Sequence, residues 1–170
     1  MDNSMPFSIR DATPDDALAM VGLIRELADY EQLLHEANPN VEQLQKHLSA
    51  ETNPRCEALV ALDDDTGQIV GMALYFHNYS TFLTQWGLFL EDLFVKPSYR
   101  GKGIGFALLK RLAAIALERD CQRLDWNVLD WNELALSFYE KIGAKQLSDW
   151  RTMRLTGDAL NNLGTKGKTD

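Results

Sequence analysis

The sequence predicts an α+β domain, in which a mixed but mostly antiparallel central sheet is flanked by helices. Three observations support this prediction. Three β-rich runs follow one another with short polar turns between them, which is typical of an antiparallel meander. Apolar residues recur with the period of a helix in the segments on either side, which indicates amphipathic helices. A helix between the third run and a later β-rich segment predicts one parallel crossover.

The chain of 170 residues fits a single domain spanning residues 1–170, and its core is large enough to fold without disulfides or a structural metal. Its composition, 45% hydrophobic and 25% charged, argues against disorder of the chain as a whole. The polar segment GTKGKTD, residues 164–170, is predicted to be a disordered tail.

The N-terminal part of the chain reads as one strand and two helices. A short strand is predicted over Phe7–Arg10, and Thr13–Asp16 follows with a capping hydroxyl, a proline and two acids, which together indicate a helix start. The helical period continues to about Tyr30, so the first helix should end there. A second helix is predicted to begin after Asn40.

The middle of the chain changes to the composition of strands. The sequence DDDTGQ, between the first two β-rich runs, has the acids and glycine of a hairpin turn. The β-rich runs are Glu57–Leu62, Ile69–Tyr79 and Gln85–Val95. The later elements predicted are a helix near Gly103–Arg119, a strand over Arg123–Val128, a helix over Asn132–Lys141, and strands near Ala144–Leu147 and Arg151–Leu155.

Charge and cysteine content exclude several classes of protein. The formal net charge of −8 counts against nucleic acid as the main partner, because phosphate binding needs a surplus of Lys and Arg on one face. Cys56 and Cys121 are far apart and have no neighbouring histidine, so neither a metal site nor a disulfide framework is expected. The N-terminus lacks the pattern of a signal peptide, and no run approaches about 18 apolar residues. We therefore expect a cytoplasmic protein with no membrane partner.

A glycine-rich loop, YRGKGIG, lies between the third β-rich run and the following helix. Backbone N–H groups at such a helix start can converge on an anion, and the helix dipole favours negative charge at the same place. Gly101, Gly103 and Gly105 remove the β-carbons that would keep a diphosphate away from the backbone. Arg100 and Lys102 would supply mobile cations at the rim. The loop is interpreted as a phosphate cradle.

Spacing tests two common phosphate ligands and leaves one open. A Walker loop is excluded because GxxxxGK[ST] does not occur. A dinucleotide fingerprint requires GxGxxG, whereas here Phe106 stands where the last glycine should be. Asp125 does lie about where a ribose-binding acid would be expected, so the nicotinamide alternative is weakened without being excluded. A glycine-rich helix entry that binds nothing is a further alternative.

Four segments of the chain resemble one family in the right order. Arg100–Gly105 resembles the RxxGxG loop of the GNAT family of acetyl-CoA-dependent N-acetyltransferases, and Asp130–Leu147 is similar to the late helix of that family. ELADYE at Glu26–Glu31, a YLED-type strand ending, YRGKGIG and WNE…FYEKIGA together resemble the spermidine/spermine and thialysine acetyltransferase branch. The resemblance spans Ile9 to about Leu160 and implies the GNAT fold, in which central strands splay apart.

The resemblance implies that acetyl-CoA is the co-substrate and that no metal is used. The pantetheine arm would enter the gap between the splayed strands, and the glycine loop would hold the diphosphate through its backbone N–H groups. The residues that the resemblance implies for cofactor binding are Leu93, Phe94, Val95, Arg100, Gly101, Lys102, Gly103, Ile104, Gly105, Phe106, Asn132, Glu133, Leu134 and Ala135.

Acetyl transfer to an amine needs both a base and an acid. A primary ammonium has a pKa near 10.4, so forming the free amine at neutral pH costs roughly 4 kcal/mol. Glu91 and Asp92 are candidates for the base; adjacent strand residues face opposite sides unless a bulge intervenes, and the resemblance favours Glu91. Tyr139 matches the tyrosine that protonates the departing sulfur in many GNAT enzymes. The resemblance implies direct attack in a ternary complex.

The substrate implied is a small cationic amine: a polyamine, a diamine or a thialysine-like amino acid. Two departures from the family concern this site: Leu134 replaces a proline, and Trp126-Asn127 replaces more apolar residues. A peptide N-terminal acetyltransferase and a non-catalytic acetyl-CoA-binding module are the alternatives. Close relatives resemble homodimers in which the last strands pack across subunits. The substrate-binding candidates are Tyr30, Glu31, Glu91, Asp92, Asp125, Trp126 and Asn127.

Overall fold

The computed structural model describes residues 6–49 and 56–165, and the chain divides into two compact units, Met1–Asn127 and Val128–Asp170. Of the predicted tail, Gly164 and Thr165 belong to the last helix, while residues 166–170 lie outside the described part of the chain. Over the described residues, no helix is both long and apolar enough to cross a membrane.

The first unit is built on a five-stranded mixed sheet with the strand order β1-β2-β3-β4-β5. The first four strands pair antiparallel, and β5 pairs parallel with β4. The predicted fold class, the meander and the parallel crossover are therefore confirmed. The strands are β1 (Phe7–Asp11), β2 (Glu57–Asp63), β3 (Ile69–Ser80), β4 (Gln85–Val95) and β5 (Leu124–Trp126), the last being shorter than predicted.

Three helices accompany this sheet: α1 (Ala17–Tyr30), α2 (Val41–Leu48) and α3 (Ile104–Glu118). A 3-10 turn at Pro14–Asp16 precedes α1, and the Asp16 carboxylate accepts a 2.7 Å hydrogen bond from the Thr13 backbone N–H. The limits of α1 and the start of α2 follow the predicted ones closely, because capping groups and apolar periodicity agree there.

The core lies on both faces of the sheet. On one face, Met72 packs with Met20 and Leu23 of α1. Its neighbour Gly71 points the other way, where an added β-carbon would stand 3.4 Å from Ile104 of α3. Since adjacent strand residues face opposite sides, α1 and α3 cover opposite faces of the sheet. The sheet thereby holds the end of α1 and the start of α3 at fixed positions.

Strand β4 contains a bulge that decides the geometry of the site. Leu74 of β3 pairs with Asp92, but Tyr75 pairs with Leu90, so Glu91 is the extra residue of β4. Strand β5 ends at Trp126, which pairs with Leu90. From Glu91 onward, β4 therefore continues beyond the end of β5, and the alternation of its side chains is broken at the same point.

The second unit contains α4 (Glu133–Lys141) and α5 (Gly157–Thr165). The prediction of strands at 144–147 and 151–155 is wrong, because these residues, all of them described, form no ladder. A strand needs a partner for its backbone groups and a buried face for its apolar side chains. Leu147, Trp150 and Met153 instead remain 66%, 77% and 88% exposed.

Candidate active site

A cavity of about 190 Å³ opens between the end of α1, the loop after it and β4. Its wall combines apolar side chains with three carboxyl groups, from Glu31, Glu36 and Asp92. An elongated organic cation suits this combination, because its methylene groups can contact the apolar wall while carboxylates neutralise its charge. The lining residues are Ile24, Leu27, Ala28, Glu31, Leu33, Glu36, Ala37 and Asp92.

Asp92 is the most perturbed acid of this cavity. Burial raises the pKa of its carboxyl group to about 6, and the negative charges of Glu91 and Glu31 add to the rise. Burial also raises the pKa of Glu31. A carboxyl group with a pKa near 6 is largely ionised at neutral pH and accepts a proton more readily than an ordinary aspartate does. Its environment therefore suits a general base.

Glu91 stands beside Asp92 at the bulge of β4, with an exposed side chain. At a bulge, two neighbouring residues of a strand can face the same side of the sheet. The structure thus places the two candidate bases at the same irregularity, and Asp92 is the one that lines the cavity.

The last residues of β4 form an edge that suits an extended ligand. Phe94 and Val95 are buried, and they pair with Met72 and Gly71 of β3 on one side. On the other side, no described strand of the first unit pairs with residues 91–95, because β5 has already ended. An extended chain with amide groups, such as a pantetheine arm, can hydrogen-bond to such an edge as another strand would.

The glycine loop has the backbone geometry of an anion cradle. Gly101 and Gly103 have φ values of +74° and +85°, the left-handed region that favours glycine. Gly103 is the N-cap of α3 and brings no side chain to satisfy the first amide groups of the helix. Tyr99, just before the loop, donates a 2.9 Å hydrogen bond to Asp63 at the end of β2. The Lys102 ammonium lies 5.0 Å from the Tyr99 ring centre, so this tyrosine connects the loop to the sheet.

The sequence predicted that Arg100 is a mobile cation at the rim of this loop. In the structure its side chain is instead held by contacts with the protein. Its Nε donates a 3.0 Å hydrogen bond to the carbonyl oxygen of Val95. Its guanidinium carbon lies 4.6 Å from the ring centre of Tyr30 and 5.4 Å from that of Phe94. The side chain is therefore held between the end of α1 and the end of β4.

The candidates on β5 are not brought to the cavity. Asp125 accepts a 2.9 Å hydrogen bond from Asn78 and forms a 2.9 Å ion pair with Arg123. Trp126 pairs with Leu90 of β4. Neither Asp125 nor Trp126 is among the residues that line the cavity. Asn127 is exposed and likewise lies outside the lining set.

The second unit carries the remaining candidates on and around α4. The side chain of Asn132 caps this helix by accepting a 3.2 Å hydrogen bond from the backbone N–H of Ala135. Glu133 and Leu134 are exposed, Leu134 to 84%. Burial raises the pKa of Tyr139 above its usual value. A tyrosine hydroxyl carries its proton at neutral pH with or without this rise, as a general acid must.

Two features of the site were missed from the sequence. Glu36 contributes a third carboxyl group to the cavity. The sequence signal that could have pointed to it is its position five residues after Glu31, just beyond the end of α1. The contact between Arg100 and Tyr30 has no local signal, because the two residues are distant in sequence. Over the described residues, no group of three or more His, Cys, Asp or Glu side chains is arranged to hold a metal ion.

An open mixed sheet, a β4 that extends beyond the end of β5, and a glycine-rich entry to α3 agree with the architecture expected of the acetyl-group transferases. The model of the acetyltransferase (GNAT) family matches residues 23–144. The chain therefore belongs to the GNAT acetyltransferase family and is an acyltransferase.

Known relatives are similar over almost the whole chain. A thialysine N-epsilon-acetyltransferase of Bos taurus is 38% identical over 166 residues, covering 93% of this chain and 97% of its own. A spermidine/spermine N(1)-acetyltransferase-like protein 1 of Homo sapiens is 33% identical over 165 residues, which are 92% of this chain and 24% of the human one. An integron cassette protein from the mobile metagenome of V. cholerae superposes with a TM-score of 0.77 at 32% identity, covering 95% and 99% of the two chains.

Proposed function

We propose that this protein transfers the acetyl group of acetyl-CoA to a primary amine of a small cationic substrate, by direct attack within a ternary complex. The observation that carries the proposal is the shared cavity of Glu31 and Asp92 at the point where β4 outruns β5. An amine bound there would lie beside the strand edge at which the family presents its thioester. The membership of the GNAT family supports the same reaction.

On the amine side, the carboxyl groups of the cavity bind the substrate as an ammonium and remove its proton. Asp92 is the immediate acceptor in this proposal, because it lines the cavity and its pKa is raised to about 6. Glu91, which the family resemblance favours as the base, stays a prediction for that role as the alternative to Asp92. Glu31, which also lines the cavity, contributes a second negative charge for the ammonium.

On the thioester side, acetyl-CoA supplies an activated acetyl group, and the chain supplies a strand edge, an anion cradle and a proton. The backbone of Leu93–Val95 holds the pantetheine arm, and the amides that follow Gly101 hold the diphosphate. The amine nitrogen forms a bond to the acetyl carbon as the carbon–sulfur bond breaks. Tyr139 gives the departing sulfur its proton.

We further propose a thialysine-like or polyamine-like diamine as the substrate. A second ammonium group would use the additional carboxylates of the cavity, which a monoamine would leave uncompensated. The thialysine acetyltransferase of Bos taurus, similar over 93% of this chain, supports the same choice.

The experiment measures acetyl-CoA turnover with a panel of thialysine, diamines, polyamines and short peptides. The release of free thiol is the signal that reports turnover. We expect kcat/KM to be highest for a molecule with two amino groups. Turnover of peptides alone would indicate an N-terminal acetyltransferase instead. Coenzyme A binding without turnover of any amine would indicate a non-catalytic binding module, and either result would contradict the proposal.

We also propose that the protein works as a homodimer in the cytoplasm. The apolar side chains of Trp150, Met153 and Leu163 are 77%, 88% and 71% exposed, which is a cost that burial in an interface would remove. The two cysteines are free, as expected in a reducing compartment.

A further inference from the structure

We propose that Arg100, although it belongs to the glycine loop, serves the amine side of the reaction as a positioning residue. In this inference, which rests on the proposed function, its guanidinium group holds the Tyr30 ring against the end of β4. It thereby fixes the last turn of α1 and the carboxylate that follows it. The side chain of Arg100 would then set the affinity for the amine, while the backbone of the loop sets the affinity for the diphosphate.

Arg100 contacts three residues from two elements of the first unit, Tyr30 of α1 and Phe94 and Val95 of β4. The guanidinium carbon is 4.6 Å from the Tyr30 ring centre and 5.4 Å from the Phe94 ring centre. Nε is engaged at 3.0 Å by the carbonyl oxygen of Val95. A cation in contact with two aromatic rings, with one N–H fixed by a backbone carbonyl, has little freedom to turn toward a phosphate at the same time.

Tyr30 is the residue through which Arg100 reaches the amine cavity. It is the last residue of α1, and the next residue, Glu31, lines the cavity together with Asp92. Beyond Glu31 the chain turns sharply, since Gln32 has a φ of +61°. Backbone hydrogen bonds from Gln32 N–H to the Asp29 carbonyl and from Leu33 N–H to the Ala28 carbonyl close this turn, so the end of α1 and Glu31 form one locally capped unit. The contact of Arg100 with Tyr30 joins that unit to the end of β4, and the position of the Glu31 carboxylate relative to Asp92 depends on it in this inference.

The chemistry of this position distinguishes arginine from lysine. A guanidinium group is planar and stacks on aromatic rings, and its Nε remains available for the Val95 carbonyl. A lysine ammonium keeps the positive charge but has no Nε and no planar face. If Arg100 served as a cation for the diphosphate, lysine would be an adequate replacement. If it positions Tyr30, lysine would not.

The test measures KM for thialysine and KM for acetyl-CoA separately in Arg100→Met, Arg100→Lys, Tyr30→Leu and Tyr30→Phe. We expect Arg100→Met and Tyr30→Leu each to raise KM for thialysine about fivefold or more, with KM for acetyl-CoA changed by less than about twofold. Arg100→Lys should fail to restore the amine KM, whereas Tyr30→Phe, which keeps the ring, should raise the amine KM clearly less than Tyr30→Leu does. The double variant Arg100→Met/Tyr30→Leu should be no worse than either single one.

Two results would overturn the inference while leaving the proposed function intact. One is a rise in KM for acetyl-CoA alone that Arg100→Lys reverses, and the other is full additivity of the two substitutions. A wild-type protein that acetylates no amine would instead overturn the proposed function and this inference with it. Circular dichroism checks the fold of each variant; should Arg100→Met not fold, the comparison of Tyr30→Leu with Tyr30→Phe decides the question.

Discussion

Asp92 is proposed to serve the reaction as a base, while its ionised form lowers the stability of the folded chain. Its pKa is raised to about 6 in the folded chain, against about 3.9 in an unfolded chain. Between these two pH values the unfolded chain has lost the proton and the folded chain keeps it, so stability falls as the pH rises through this window. At neutral pH the ionised Asp92 costs on the order of 1 to 3 kcal/mol. That cost is consistent with a residue kept for its proton affinity.

The substitution Asp92→Asn should therefore stabilise the protein and impair it. We expect the free energy of unfolding at pH 7 to rise by on the order of 1 to 3 kcal/mol, and the gain to shrink at pH 4, both measured by urea denaturation. We expect kcat/KM to fall at least about tenfold, with loss of the acidic limb near pH 6. The exposed Asp149→Asn is the control and should change neither quantity. A destabilised Asp92→Asn protein would contradict the assigned environment.

Tyr139 is the residue expected to protonate the departing sulfur. The substitution Tyr139→Phe removes the hydroxyl and keeps the ring, so we expect the fold and coenzyme A affinity to persist while turnover falls at least about tenfold. Steady-state kinetics and calorimetric titration with coenzyme A measure the two quantities. Tyr79→Phe, on the 45% exposed Tyr79 of β3, is the matched control. Unchanged turnover of Tyr139→Phe would remove the assignment.

At the scale of single elements, the start of α1 shows how one side chain joins a strand to a helix. Asp16 accepts hydrogen bonds of 2.7 and 2.9 Å from Arg10 of β1 and one of 2.7 Å from the Thr13 backbone. The Arg10 guanidinium is the main reason that the pKa of Asp16 is lowered to about 2. The resulting stabilisation is present above a pH of about 3.9 and is lost as the pH falls toward 2.

The substitution Asp16→Ala should lower the free energy of unfolding at pH 7 by about 1 to 2 kcal/mol, because it removes a buried helix-start acceptor and an ion pair together. Urea denaturation at pH 7 and pH 3 is the measurement, and we expect a smaller difference from wild type at pH 3. The matched control is Asp15→Ala, which changes the exposed residue next to Asp16. Equal effects of the two substitutions would show that the Arg10 contact contributes nothing.

At the scale of the whole molecule, the exposed apolar residues of the second unit predict self-association. We expect light scattering to give a mass near twice the 19.2 kDa of one chain. Trp150→Ser with Met153→Ser should shift the protein toward the monomer, because their 77% and 88% exposed side chains would lose a buried position. Leu18→Ser, on a 71% exposed residue of α1, is the control. A monomeric wild type at high concentration would contradict the homodimer.

The sequence by itself determined the helices α1 to α4, the four antiparallel strands, the parallel crossover and the glycine-rich loop before α3. These features rest on local rules, such as the cap at Asn40, the periodicity that ends at Tyr30, and glycines where the backbone has φ values of +74° and +85°. The predicted strands at 144–147 and 151–155 were wrong because strand formation depends on a partner, which no local pattern supplies.

Only the tertiary structure decided which residues meet at the site. Glu36 enters the cavity, whereas Asp125 is engaged by Asn78 and Arg123. The bulge at Glu91 and the placement of Arg100 on Tyr30 arise from strand pairing and from the packing of α1 on the sheet. The physical reason is that such contacts join residues far apart in the chain, so their geometry depends on the whole fold and leaves no periodic trace in the sequence.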